Sequence, residues 1–139
     1  MPTNFDMVGD FRRKMHLPMS PTPMLLSAAE SSYFARFIME ELSEYLKACE
    51  EGSLVDAADA VIDLIYVALG CAHAMGLPFD EMFDVVHQAN MTKVPANEYI
   101  RSIRGLQYDV VKPANWTPPE AMLLAILQTK MQQHKEQSK

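Results

Sequence analysis

Apolar positions recur every three or four residues over most of the chain. That is the spacing of amphipathic helices rather than the alternation of strands. Val8, Phe11 and Met15 predict a short helix over residues 4–15. Pro18, Pro21 and Pro23 then break the pattern, so 17–24 reads as an ordered connector. Ser27 followed by Glu30 forms a capping box and starts a long helix, which Gly52 ends. Ser53 with Asp56 makes a second cap and opens another long helix, ended by Gly76 and Pro78. Phe79, Met82, Phe83 and Val86 mark a further helix to about Met91. Residues 93–116 hold Pro95, Gly105 and Pro113 among scattered apolar residues and read as a loop with a short hairpin. A loop this long in a compact domain is often functional. Thr117-Pro118-Pro119-Glu120 combines a cap, a proline at the first helical position and an acid in the first turn. It predicts a last helix to about residue 133 and a frayed polar tail from about 134. No βαβ unit or Gly-rich phosphate loop interrupts the series. The expected class is an all-α bundle in a single domain, 1–139.

Several carboxylates interrupt this pattern. Around the first long helix, Phe34, Phe37, Ile38, Leu42, Tyr45 and Cys49 cover one arc. Glu41 falls inside that arc, with Glu40 and Glu44 at its margin. A glutamate on a core face needs a partner, because an unpaired buried charge is costly. On the second long helix, residues 57–75 carry no charge except Asp59 and Asp63. Asp56, Asp59 and Asp63 fall within an arc of roughly 60°, where they repel one another. Between Lys47 and Lys93 there is no lysine or arginine, a gap of 45 residues. Salt bridges within this helix pair therefore cannot neutralise the acids. A hard divalent cation such as Mg²⁺ or Mn²⁺ can. For Glu40, Glu50, Glu51, Asp80, Glu81 and Asp84 a solvated face is explanation enough, and Asp56 serves equally well as an N-terminal helix acid.

Composition narrows the picture. The chain has 139 residues, 49% hydrophobic, which suits a folded domain rather than a disordered one. Acids outnumber bases 18 to 12, giving a net charge of −6, which argues against a nucleic-acid module. Cys49 and Cys71 lack metal or redox spacing and read as buried free thiols of a reducing compartment. The longest uncharged run, 64–79, is 16 residues, short of the ~20 that span a bilayer. No signal peptide is visible at the N-terminus. A cytoplasmic protein is expected. His73 reads as a satisfied core histidine. Met24, Met39, Met75, Met82, Met91 and Met122 read as core or interface filler.

At the acidic pairs the sequence resembles the MazG-like, all-α nucleoside triphosphate pyrophosphohydrolases. That superfamily includes phosphoribosyl-ATP pyrophosphohydrolase and the dimeric dUTPases, and its hallmark is E-x-x-E on one helix and E-x-x-D on the next. Glu40-Glu41-Leu42-Ser43-Glu44 is similar to the first element. Asp59-Ala60-Val61-Ile62-Asp63-Leu64-Ile65-Tyr66 is similar to the second, with Ala60 where the family has glutamate and Asp59 one turn from Asp63. A second register pairs Asp56 with Asp59. Val86-His87-Gln88-Ala89-Asn90-Met91-Thr92-Lys93-Val94, Asp109-Val110-Val111-Lys112-Pro113 and Trp116-Thr117-Pro118-Pro119 resemble the phage-type subgroup. The resemblance runs from about Phe11 to Glu120.

The resemblance implies cleavage of a nucleoside triphosphate, a dNTP or NTP, between its α- and β-phosphates. The products would be a monophosphate and pyrophosphate, and the role control of a nucleotide pool. Glu41, Glu44, Asp59 and Asp63 would hold Mg²⁺ or Mn²⁺, Glu40 would orient the attacking water, and Asn90 and Lys93 would bind phosphate. For Asn90 and Lys93 a plain helix C-terminus is the competing reading. Lys112, Arg101 and Arg104 read as solvated loop cations, and Trp116 as packing. The second long helix is apolar nearly all round, so a homodimer or homotetramer is expected to complete the bundle. A cytoplasmic enzyme, in the host cytoplasm if phage-encoded, with no membrane or nucleic-acid partner, follows. Phosphoribosyl-ATP hydrolysis and a non-catalytic helical adaptor are the alternatives. A di-iron bundle would need Glu-x-x-His on two helices, and this chain has no Glu-x-x-His.

Overall fold

The computed structural model describes residues 1–97, 101–106 and 108–139. Five helices carry the architecture: α1 (Asn4–Lys14), α2 (Ala28–Glu51), α3 (Leu54–Ala74), α4 (Phe79–Met91) and α5 (Glu120–Gln137). Two short strands, β1 (Val94–Pro95) and β2 (Val110–Val111), pair antiparallel, Val94 opposite Val111. The all-α class and the short hairpin both stand. Tyr99 and Ile100, two of the apolar residues assigned to the loop, lie outside the described residues. The chain divides into two compact units, residues 1–77 with 133–139, and residues 78–132.

Local chemistry sets the helix ends in the first unit. Ser27 Oγ accepts from Glu30 N at 3.2 Å and its hydroxyl donates to the Glu30 carboxylate at 2.8 Å. Gly52 closes α2 at φ 70°, the left-handed region that glycine adopts without strain. Ser53 caps α3 in the same way through Asp56. That bond accounts for Asp56 as a helix acid. Gly76 follows α3 at φ 68°, and its missing Cβ would stand 2.5 Å from the carbonyl oxygen of Thr22. The 15–27 connector is thus pressed onto the end of α3, and Met24 N donates to Met75 O at 2.9 Å.

α2 and α3 form a helical hairpin with α1 laid against α3. Phe34, Val67 and Ala74 make the centre, with Leu26, Phe37, Ile38 and Cys71 packed on it. Along α3 the buried line runs Ala60, Val67, Gly70 and Ala74. Small residues there let the neighbouring helices approach closely. His73 stacks on Phe5 at 3.6 Å, and its Nε2 pairs with Phe5 O at 2.7 Å, so it is a satisfied histidine as expected.

Two expectations need correction, those for the α2 arc and for the methionines. On α2, Ala48 is buried while Leu42 and Cys49 are exposed, so the buried stripe lies one residue off the expected arc at that end, and Cys49 is not a buried thiol. As expected of a helix that is apolar nearly all round, one chain does not cover α3: Ile62 is 62% exposed, and Val61 and Ile65 also face outward. Met24, Met39, Met91 and Met122 are exposed too, so they are not core.

In the second unit, α4 ends at Met91 and the hairpin follows. Trp116 donates from Nε1 to the Ala89 carbonyl at 2.9 Å, which pins the chain before α5 to the end of α4. α5 begins at Glu120, with Leu123 N bonded to Pro119 O, later than the Thr117 cap predicts. Pro119 keeps Pro118 out of the helical region, so the helix cannot start before it. It also runs to Gln137, past the expected end near 133. His134 and Lys135 in its last turn complement the helix dipole. Among the described residues no single helix is long and apolar enough to cross a membrane.

Candidate active site

The site grows from one position on α2. Helical periodicity places Glu41 on the stripe that carries Phe34 and Ala48, and its side chain is only 7% exposed. On α3, Asp63 lies between Ala60 and Val67 on the buried line. Both carboxylates line one cavity of about 340 Å³ in the first unit. Aromatic rings form much of its wall: Phe11, Tyr33, Phe34, Phe37 and Tyr66.

Glu41 has no compensating charge. Its Oε2 is buried without a hydrogen-bond partner. Burial first, and then the nearby charges of Glu44, Asp63 and Glu40, push its carboxyl above the ordinary glutamate range. The ion pairs Arg13–Asp10, Lys47–Glu51 and Arg104–Asp109 do not involve this group. Three further acids thus act on Glu41, and among the described residues no salt bridge to it is formed.

The expected residues are distributed unevenly. Glu41 and Asp63 meet in the cavity. Glu40 and Glu44 are exposed but near enough to act on Glu41. Asp59 is exposed and does not line the cavity. Asn90, exposed, and Lys93, half-buried, belong to the second unit. There Lys93 Nζ lies 5.5 Å from the centre of the Trp116 ring, and Lys112 Nζ lies 4.6 Å from it. Trp116 is held between these ammonium groups and the Ala89 carbonyl, which agrees with packing. Arg104 is engaged by Asp109. Among the described residues no three His, Cys, Asp or Glu side chains stand close enough to enclose a metal ion as they are.

Periodicity missed Arg12. It is 8% exposed on α1, while Phe11, the expected apolar contact, is the more open of the two. Arg12 Nη2 donates to Pro18 O at 2.6 Å, and the guanidinium carbon lies 5.8 Å from the centre of the Phe34 ring. Gly70 on α3 makes room for it: a Cβ there would come within 3.3 Å of Nη1. Arg12 Nε has no hydrogen-bond partner.

The profile of the phosphoribosyl-ATP pyrophosphohydrolase family matches residues 8–90, well over half the chain. The chain belongs to this family. That span contains α2, α3 and every residue of the cavity. No curated protein matches the chain significantly. Family membership makes the protein a nucleotide pyrophosphohydrolase and sets aside the adaptor reading. The acidic helix pair and the cavity are therefore parts of an enzyme.

Proposed function

We propose that this pyrophosphohydrolase cleaves a nucleoside triphosphate between the α- and β-phosphates, with Mg²⁺ or Mn²⁺ as its cofactor. The observation that carries the reading is Glu41: buried, unpaired at Oε2, and acted on by the charges of Glu44, Asp63 and Glu40. A carboxylate in that state is stable only with a cation beside it. The donor set is all carboxylate oxygen, which suits a hard divalent ion. Glu41 and Asp63 supply the inner ligands in this reading. Glu44 and Asp59, both exposed, would complete the set, with Asp56 the alternative to Asp59. When bound, the metal supplies charge for the phosphate oxygens and an acidified water. Glu40 would orient the attacking water. Asn90 and Lys93 bind phosphate oxygens.

The exposed apolar side chains of α2 and α3, among them Met39, Leu46, Val61, Ile62 and Ile65, support a homodimer or homotetramer. A second copy of this chain would cover them and complete the bundle.

Pyrophosphate release tests the activity. The panel is all ribo- and deoxynucleoside triphosphates plus phosphoribosyl-ATP, the substrate in the family's name. Each is assayed with Mg²⁺ and with EDTA, on wild type, Glu41→Gln and Asp63→Asn. EDTA-sensitive release that both variants lose is the expected result. Release that persists in EDTA would overturn the metal. Release from phosphoribosyl-ATP alone would replace the substrate.

A further inference from the structure

The second unit gathers two cations around one ring. Lys93 Nζ and Lys112 Nζ lie 5.5 Å and 4.6 Å from the centre of the Trp116 indole. The hairpin register brings them together. Val94 pairs with Val111 and Pro95 with Val110, so one step further along the ladder sets Lys93 across from Lys112. Like charges at facing positions of a strand pair repel. Among the described residues neither ammonium forms an ion pair or a side-chain hydrogen bond. Asp109, on the same hairpin arm as Lys112, is already engaged by Arg104 and Ser102. Lys93, half-buried, stands just beyond α4, where the helix dipole favours a cation. No helix end accounts for Lys112 in the same way. The Trp116 ring attracts both ammonium groups but offers them no acceptor atom, since indole only donates. Its Nε1 is spent on the Ala89 carbonyl.

Two facing ammonium groups with no acid between them call for an anion of more than one charge. A single carboxylate balances only one of them. A phosphate-class dianion carries acceptor oxygens on several sides and reaches both, and lysine holds phosphate as a point charge. The chain around them has a net charge of −6, so the pair is a local concentration of positive charge rather than part of a basic surface. Resting on the reading above, which gives Lys93 a phosphate, we propose that Lys112 is the second arm of an anion clamp and that Lys93 and Lys112 together hold a diphosphate group. Free inorganic phosphate is the other source of the same chemistry. Trp116 is the positioning residue of this clamp. Fixed to Ala89, it keeps the start of β1 and the end of β2, and with them both lysines, beside one ring.

Trp116 is the chain's one tryptophan, so its fluorescence reports on the clamp directly. The full chain is titrated with pyrophosphate and with inorganic phosphate at fixed ionic strength, and equilibrium dialysis of the labelled anions measures the same binding without relying on the ring. EDTA is present throughout, which keeps the acids of the first unit from holding phosphate through a metal. Both anions should bind saturably, pyrophosphate the more tightly. Lys112 is exposed, so Lys112→Gln leaves the fold intact. It should weaken pyrophosphate about fivefold or more, the scale of one exposed charge pair, and Lys93→Gln should do the same. Lys130→Gln removes an exposed lysine of α5 and should change nothing. Equal affinity for the two anions, with the lysine dependence intact, would overturn the diphosphate assignment in favour of a single phosphate. Binding that Lys112→Gln leaves unchanged, or that Lys130→Gln weakens equally, would overturn the clamp. So would no saturable binding by dialysis. If metal-dependent pyrophosphate release continued in that last case, the hydrolase reading would stand without the clamp. Binding intact with no release from any nucleotide would leave the clamp and remove the hydrolase reading.

Discussion

Asp109 and Glu41 are both largely withdrawn from water, and their surroundings could hardly differ more. Asp109, in the second unit, accepts from the Arg104 guanidinium, the Ser102 hydroxyl and the Val110 amide. Those bonds, Arg104's first, hold its carboxyl well below the ordinary aspartate range. Glu41, in the first unit, has an unpaired Oε2, acidic neighbours and a carboxyl pushed upward. The same chemical group serves two ends. A satisfied carboxylate organises the loop that carries it. An unsatisfied one is out of balance until something else arrives, and perturbed groups of that kind concentrate at functional sites.

The largest effect that would sharpen this contrast is on turnover. Glu41→Gln keeps the shape and removes the charge. It should lower kcat/KM by about 10³-fold or more, because a metal ligand supports several kcal/mol of transition-state stabilisation. Asp63→Asn should do nearly the same. Asp109→Asn should leave turnover within about threefold, a change of well under 1 kcal/mol. Equal losses at Asp109 and Glu41 would erase the distinction drawn between them.

Loss of activity through unfolding needs its own reference, and Gly76 provides one. Its φ of 68° and the Thr22 carbonyl 2.5 Å from the would-be Cβ leave no room for a side chain. Gly76→Ala should destabilise by about 3 kcal/mol, combining left-handed strain with a backbone collision. Thermal unfolding reads this directly. Activity per folded molecule should stay near wild type, unlike that of Glu41→Gln.

Helix ends and the misplaced glutamate were legible in the sequence because both are local. Ser27 with Glu30, Ser53 with Asp56, and Gly52 each act within a few residues, and period 3.6 alone puts Glu41 among Phe34 and Phe37. The start of α5 was misread because Pro118 looked like a first helical residue, and Pro119 overrides it. Arg12 was not legible for a different reason. Its slot is made by Gly70 on α3, the Phe34 ring on α2 and the Pro18 carbonyl. None of these is a helical neighbour of Arg12, so no periodicity on α1 can reveal them. The outward apolar side chains of α3 were legible, because the helix carries more apolar surface than its neighbours in one chain can cover, and Val61, Ile62 and Ile65 are left exposed.

Without metal, Glu41 should also weaken the fold in a way that depends on pH. Its folded carboxyl holds a proton more readily than in the unfolded chain. The folded state therefore binds more protons between the ordinary and the raised value, and stability falls as pH rises through that window. Wild type in EDTA should accordingly melt lower at neutral pH than at about pH 4.5, as far as this group contributes. Glu41→Gln should flatten the trend and gain about 1 kcal/mol at neutral pH, a few degrees in Tm. A destabilised Glu41→Gln would mean that the carboxylate is satisfied after all.

Asp109 should show the reverse sign and the smallest effect. Its folded carboxyl releases its proton more readily than in the unfolded chain. The stability it contributes is complete above the ordinary aspartate value and disappears as pH falls through the depressed one. Asp109→Asn should therefore melt below wild type at neutral pH, and the two curves should converge in acid. Arg104 is exposed, so salt screens the pair and should narrow the gap. The Ser102 and Val110 bonds are shielded from that screening because they need contact rather than a field. A gap that vanished altogether in high salt would assign the whole effect to Arg104 and leave the hydroxyl and the amide with none.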